Sequence, residues 1–164
     1  MNNQQIDAAR FRKALSTYPS GVCVITGVGA EGQLLGLTVG SFTSVSLDPP
    51  LVGFLPQKRS VTWAEIAASG RFCVNVLAAD QQEISGRMAV PGPDKFDGVD
   101  YSLSPAGLPV IADAITWIDC EIHSQVEAGD HLFVAGLVRD MDAVHEKNPL
   151  IFHGGKYRQL AETA

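Results

Sequence analysis

The clearest pattern along the chain is an alternation over residues 115–127. There Thr116, Ile118, Cys120 and Ile122 stand against Trp117, Asp119, Glu121 and His123. A period of two sends successive side chains to opposite faces of a strand. Gly129-Asp130 supplies a turn, and residues 131–142 return as a second long strand, so the spacing predicts a hairpin. Shorter runs rich in β-branched and aromatic residues precede it at 22–26, 34–39, 43–47, 51–55 and 72–77. Asp48-Pro49-Pro50 ends the third of these. A last small pair is predicted at 150–152 and 157–160, split by Gly154-Gly155.

Helical periodicity is confined to short stretches. Over 6–16, Ile6, Phe11 and Leu15 fall on one face while Arg10, Arg12 and Lys13 point elsewhere, and Tyr18-Pro19-Ser20-Gly21 breaks the pattern. Ser60 is a suitable N-cap for a helix over 61–68, with Gly70 at its expected stop. Asp80 is predicted to cap a third helix, with Glu83 three residues on as in a capping box. Many short antiparallel strands with few helices predict a mainly β fold, a closed barrel or a sandwich. With no repeat and no low-complexity linker, one domain over residues 1–164 is expected.

Composition narrows the function. The 164 residues are 46% hydrophobic and 18% charged, enough for a continuous core without metals or disulfides. Net charge is −6 and the Lys and Arg residues are scattered, so no basic stripe follows a nucleic-acid backbone. A few local donors can still hold an anionic ligand. Met1-Asn2-Asn3-Gln4-Gln5 lacks a basic region followed by an apolar run, so no signal peptide is expected. No stretch approaches the roughly 20 apolar residues of a membrane helix. Cys23, Cys73 and Cys120 stand far apart in apolar runs, which predicts buried free thiols and fits a reducing cytoplasm.

Residues 27–32 match G-x-G-x-x-G, but the segment that follows, with Gly36, Gly40 and β-branched residues, is a poor helix. A dinucleotide fingerprint needs a helix there, so a glycine-rich hairpin turn is the simpler reading. Cys120 and His123 are three apart on a strand and face opposite ways, which argues against a shared metal. No Gly-x-Ser-x-Gly elbow supports a hydrolytic triad.

Two segments carry candidate chemistry. From Thr38 to Ser46, five of nine residues bear hydroxyls and none is charged, while Gly36 and Gly40 leave backbone uncovered. Such an edge admits a flat ring and hydrogen-bonds it, although β-propensity alone accounts for the same composition. In Gln57-Lys58-Arg59-Ser60, a helix start with a hydroxyl and two cations forms a phosphate site; a solvated loop before a surface helix reads equally well.

The segments Tyr18-Pro-Ser-Gly-Val-Cys-Val-Ile-Thr26 and Gly36-Leu-Thr-Val-Gly-Ser-Phe-Thr-Ser-Val-Ser-Leu-Asp-Pro-Pro-Leu51 resemble the short-chain flavin reductases. These are the reductase components of two-component flavin monooxygenases, built on an FMN-binding split barrel. Phe72-Cys-Val-Asn-Val-Leu77, Asp94-Lys-Phe-Asp-Gly98, Gly129-Asp-His131, Pro149-Leu-Ile-Phe152 and Gly155-Lys-Tyr157 extend the resemblance, in order, over nearly the whole chain.

The resemblance implies an antiparallel, Greek-key split barrel with a few peripheral helices, a homodimer with flavin near the subunit interface. It places Thr38, Val39, Gly40 and Ser41 along the flavin ring and ribityl chain. Leu55, Pro56 and Gln57 would lie beneath the ring, Ser60 with Lys58 or Arg59 at the phosphate, and Lys95-Phe96 along one side. Pro19, His131 and Tyr157 would lie where the nicotinamide stacks, with His131 bonding the nicotinamide amide or a flavin phosphate. Gly40 stands where relatives often carry a side chain, and Arg87-Met88-Ala89 where an aromatic followed by Ala is common, so any bond from residue 40 comes from backbone.

The expected activity is hydride transfer from NADH or NADPH to FMN or FAD, with reduced flavin supplied to a partner monooxygenase. The alternatives are a flavin carrier or sensor without nicotinamide turnover, and an enzyme of the pyridoxamine-phosphate-oxidase type. Fold alone does not separate them.

Overall fold

The computed structural model describes residues 6–143 and 145–160. In chain order its elements are helix α1 (Ala8–Leu15), strands β1 (Ser20–Gly21), β2 (Cys23–Val28), β3 (Leu34–Val39), β4 (Thr43–Leu47) and β5 (Pro50–Phe54), and helix α2 (Val61–Ala68). Strand β6 (Arg71–Val76), helix α3 (Gln82–Ala89) and the short strands β7 (Tyr101–Leu103) and β8 (Pro109–Ile111) follow. The long strands β9 (Thr116–Ala128) and β10 (His131–Ala143) and the short pair β11 (Ile151–His153) and β12 (Lys156–Arg158) complete the set.

Seven strands form one antiparallel sheet in the order β3-β2-β6-β9-β10-β5-β4. The β9–β10 hairpin, turning at Gly129 (φ 65°), inserts between β6 and β5, which is the Greek-key step. The two edge strands, β3 and β4, are consecutive in sequence yet not paired with each other. The sheet therefore curls round its core and stays open at one seam, a split barrel. Both ends of the sheet contribute to the same core: Val39 from β3 packs with Val52 and Phe54 from β5, and with Ile25, Phe72, Val74, Ile118 and Val134.

Helix α2 presents Trp63 and Ile66 to this core. Phe54, Trp63 and Phe72 meet edge to face, with ring centroids 5.0 Å (Phe54–Trp63), 5.3 Å (Phe54–Phe72) and 6.0 Å (Trp63–Phe72) apart. Such pairs each add about 1 kcal/mol beyond area burial. A second cluster, Val22, Val24, Leu77, Met88, Ile111 and Leu150, lies on the outer face and includes Met88 of α3. Gly36 on β3 permits that contact, because a Cβ there would lie 2.3 Å from Met88 Sδ.

The predicted strands and the helix over 61–68 are present, within a residue or two at their ends. The segment 27–32 is the β2–β3 hairpin turn, closed by Gly29 N–H donating to the Gln33 carbonyl at 2.9 Å. One expectation is corrected. Asp80 does not cap α3: the N-cap position is Gln81, without a side-chain cap bond, while the Asp80 carboxylate pairs with Lys147 Nζ at 3.2 Å. The Gln81 side chain instead bonds Ala78 N–H and the Ala112 carbonyl, which fixes the approach to the helix. In α1, capped by Asp7, no residue of the apolar face is buried by the described residues; Phe11 and Leu15 are about half exposed.

The β7–β8 hairpin has no counterpart in the sequence reading. It covers a buried polar pair, where Thr26 Oγ1 donates to the Pro109 carbonyl at 2.5 Å and Asn75 accepts from Ile111 N–H at 2.8 Å. The three cysteines are buried free thiols. Burial pushes Cys23 and Cys120 up to about 12, and raises Cys73 as well, with the adjoining Asp119 carboxylate adding to the effect. Among the described residues, no helix is long and apolar enough to cross a membrane.

Candidate functional site

The seam is where a ligand can enter. The link Gly40-Ser41-Phe42 joins the two edge strands, and a cleft of about 720 Å³ opens beside it. Its walls come from β3 (Leu37, Thr38, Val39), the link (Gly40, Ser41) and the chain leaving β5 (Leu55, Pro56, Gln57). The start of α2 (Arg59, Ser60, Val61, Thr62), the end of α3 (Ala89, Val90, Pro91), Lys95 and His131 complete it. Volume and lining, mostly uncharged with a few polar groups, suit a small organic ligand.

The hydroxyls at the seam already have work within the fold. Thr38 Oγ1 donates to the Ser85 carbonyl at 2.7 Å, tying β3 to α3. Ser41 Oγ accepts from Leu55 N–H at 2.9 Å and ties the link to the end of β5. Each keeps capacity for a ligand: a hydroxyl that donates once can still accept, and one that accepts can still donate. At Gly40 a Cβ would come within 3.0 Å of Ser20 Oγ, so a side chain there would crowd β1.

At the other end of the cleft, Ser60 caps α2. Its Oγ accepts from Trp63 N–H at 3.1 Å. The first N–H groups of a helix have no intrahelical acceptor, so with Trp63 satisfied those of Val61 and Thr62 are left to a ligand or water. The Ser60 O–H adds a donor. Of the two cations flagged by sequence, Arg59 lines the cleft, its Nε donating to Gln57 Oε1 at 3.0 Å. Lys58 does not line it; its ammonium pairs with Glu127 at 2.7 Å.

Lys95 is buried at 8% exposure. Its Nζ donates to the Gly36 carbonyl at 2.9 Å and the Met88 carbonyl at 3.2 Å, clamping β3 to the end of α3. Desolvation pulls its pKa below the usual lysine range.

His131 opens β10 and is held to the cleft by the chain beside it: it bridges Gln57, and Leu132 N–H donates to the Pro56 carbonyl at 2.9 Å. His131 Nδ1 lies 2.8 Å from the Asp130 carboxylate. A carboxylate only accepts, so the proton sits on Nδ1 and leaves Nε2 as an acceptor in the neutral ring. This bond, with Arg59 nearby as a lesser cause, holds the Asp130 carboxyl below its ordinary range.

Eleven residues of the sequence reading thus meet in one cleft: Thr38, Val39, Gly40, Ser41, Leu55, Pro56, Gln57, Arg59, Ser60, Lys95 and His131. Lys58, Phe96, Pro19 and Tyr157 do not line it. Phe96 packs against the outer cluster and edge-on to Tyr101, and Pro19 is exposed beside β1. Tyr157 reaches the wall at second hand. Its hydroxyl lies 2.9 Å from Ser85 Oγ, on the residue whose carbonyl holds Thr38. Sequence reasoning missed Leu37, Val61, Thr62 and the Ala89-Val90-Pro91 wall; a proline just past a helix was the available signal for the last of these.

The sequence pattern of the flavin reductase like domain matches residues 15–161. A flavin reductase of Pseudomonas putida is 47% identical over 156 residues, covering 95% of this chain and 92% of that protein. The reductase subunit HsaB of a flavin-dependent monooxygenase of Rhodococcus jostii is 42% identical, covering 94% of this chain and 78% of that protein. Among solved structures, the NADH:FAD oxidoreductase SgcE6 of Streptomyces globisporus C-1027, in complex with NAD and FAD fragments, superposes with a TM-score of 0.91. It is 36% identical, with 96% of this chain and 95% of that chain covered. With the match spanning nearly the whole split barrel and its seam cleft, this chain belongs to the flavin reductase like domain family.

Proposed function

We propose that the seam cleft binds FMN or FAD and that the protein is an NADH-dependent flavin reductase. The observation that carries this reading is one continuous groove, uncharged along Leu37–Val39 and Leu55–Pro56, that ends at the helix start beside Arg59 and Ser60. A flat apolar ring with a phosphate on a polar tether has the same sequence of properties. Thr38, Val39, Gly40 and Ser41 flank the ring and ribityl chain, and Leu55, Pro56 and Gln57 lie beneath. Ser60, the α2 N–H groups and Arg59 take the phosphate.

When bound, the flavin supplies the hydride-accepting chemistry. The chain's own part is to align the two nucleotides and exclude water. His131 lines the cleft beside Gln57, and its free Nε2 can accept from the nicotinamide carboxamide N–H. No residue needs to act as a strong acid or base. NADH is preferred over NADPH, as in the similar NADH-dependent FAD reductase of Streptomyces globisporus and FMN reductase (NADH) SmoA of Agrobacterium fabrum.

We further infer that reduced flavin passes to a partner monooxygenase in the cytoplasm, as the similarity to a monooxygenase reductase subunit suggests. Exposed apolar residues on α1 and at Leu47, which is 95% exposed, support a homodimer. The test is NADH oxidation by purified protein with FMN, FAD or riboflavin supplied. Turnover should rise with added flavin and saturate; a folded protein that consumes no NADH with any of them would overturn the reading.

A further inference from the structure

The small sheet β1-β11-β12 is separate from the seven-stranded sheet, and none of its residues lines the cleft. Three backbone bonds hold it in place: Val22 N–H donates to the Leu150 carbonyl at 3.1 Å, Leu150 N–H to that of Leu77 at 2.9 Å, and Leu77 N–H to that of Val22 at 3.0 Å. The register sets Ser20 opposite Phe152, and Phe152 opposite Tyr157. Residues directly opposite each other on antiparallel strands point to the same face, so the three side chains form one row. Within it Phe152 and Tyr157 meet edge to face, with ring centroids 5.5 Å apart.

Both ends of the row reach the wall of the cleft. At one end the Tyr157 hydroxyl lies 2.9 Å from Ser85 Oγ on α3. At the other, Ser20 stands against the seam link, since a Cβ on Gly40 would lie 3.0 Å from Ser20 Oγ. The wall between these points depends on side chains. Strand β3 is an edge strand, hydrogen-bonded in its sheet by β2 alone. Helix α3 is tied to it by Thr38 Oγ1 donating to the Ser85 carbonyl and by Lys95 Nζ donating to the carbonyls of Gly36 and Met88. The same helix starts without a side-chain cap bond and ends at Ala89, which lines the cleft with Val90 and Pro91.

Ser85 is fully buried, and among the described residues Tyr157 is the partner of its hydroxyl. A helical serine deprived of such a partner turns its hydroxyl to the carbonyl four residues back, here that of Gln81, and bends the helix. Such a bend displaces the Ser85 carbonyl that holds Thr38, and Ala89–Pro91 with it.

We propose that Tyr157 is a positioning residue for the seam cleft, acting through Ser85 on Thr38 and on the Ala89–Pro91 wall, with the row Ser20–Phe152–Tyr157 as the fixed surface behind them. Tyr157 touches neither nucleotide; its hydroxyl sets the spacing between β3 and α3 into which the flavin fits. This inference rests on the flavin reading of the cleft and adds to it a part of the fold outside the cleft.

The test is steady-state kinetics of the intact protein with FMN and NADH, together with fluorescence titration of FMN, below the melting temperature of every variant. Tyr157→Phe removes only the hydroxyl. It should raise the FMN dissociation constant and the KM for FMN about fivefold, the scale of one neutral hydrogen bond, with kcat at saturating FMN within about twofold of wild type. Ser85→Ala should do the same, and adding Tyr157→Phe to Ser85→Ala should change nothing further, because both remove one link. A merely structural role would lower the folded fraction, and so kcat, without moving the KM for FMN. That result overturns the proposal, as do unchanged FMN affinity in Tyr157→Phe, additive effects in the double variant, or a rise confined to the KM for NADH. Each of these leaves the flavin cleft standing. Wild type that binds no flavin overturns both.

Discussion

Ser60 offers a separation of fold from function, because it has two tasks that respond oppositely to one substitution. Its Oγ caps α2 by accepting from Trp63 N–H at 3.1 Å, and its O–H, with the first helix N–H groups, faces the proposed phosphate. Aspartate caps as well as serine, and its charge at a helix N-terminus adds about 0.3–1 kcal/mol. Ser60→Asp should therefore leave thermal stability unchanged or slightly raised. The same carboxylate repels a phosphate: two unit charges about 5 Å apart at an effective dielectric of about 20 repel by about 3 kcal/mol. Ser60 is half-buried, so solvent and salt reduce this to about 1.5 kcal/mol, or about tenfold in affinity.

The expected result is an FMN dissociation constant raised at least about tenfold, with riboflavin, which has no phosphate, changed by less than about twofold. Salt should recover part of the loss. Ser60→Ala is the complement: it loses the cap, at about 1 kcal/mol, and should lower Tm by about 2–4 °C. Fluorescence titration and thermal unfolding of both variants read all of these effects. A folded Ser60→Asp protein that binds FMN as tightly as wild type, or that loses FMN and riboflavin equally, refutes the placement of the phosphate.

Further outcomes follow from other parts of the fold. Gly136→Ala would set a Cβ 2.4 Å from Phe72 Cζ and 3.0 Å from Cys120 Cβ, and should destabilise by about 1–3 kcal/mol in urea unfolding; an unchanged midpoint would contradict this packing. Thr38→Val removes the bond to the Ser85 carbonyl and should cost about 1–2 kcal/mol, read the same way. His131→Ala should raise the KM for NADH about tenfold with little change in that for flavin; equal rises would argue against a nicotinamide contact. The buried thiols set an alkaline limit. Cys23 and Cys120 rise from 9.0 to about 12, so the folded state holds protons that the unfolded chain releases. Stability is fully present below about pH 9 and should fall as pH rises from there towards about 12, by up to about 1.4 kcal/mol per pH unit for each thiol. A urea midpoint flat across that range would contradict the burial.

How much was legible in the sequence depended on whether the signal was local. Alternation over residues 115–127, the turn at Gly129-Asp130 and the cap at Ser60 are contained within a few residues, and the structure forms β9, β10 and α2 there. Asp80 misled because a capping residue was also within reach of Lys147, a partner 67 positions away that local spacing does not reveal. The short β7–β8 hairpin was silent because its strands are three residues each and one begins with proline.

The sequence by itself determined a β-rich chain, its strands and the uncharged, hydroxyl-bearing segment that now lies at the seam, since these follow from period, propensity and turn chemistry. Tertiary structure decided which of the flagged residues line the cleft and which do not. It brought Arg59 to the groove and tied Lys58 to Glu127, and it turned Tyr157 towards Ser85. It also buried Lys95 where, among the described residues, only carbonyls accept from its ammonium. The physical reason is that strand pairing sets side-chain direction, and the order β3-β2-β6-β9-β10-β5-β4 is fixed by burial of one shared core rather than by neighbours in the chain.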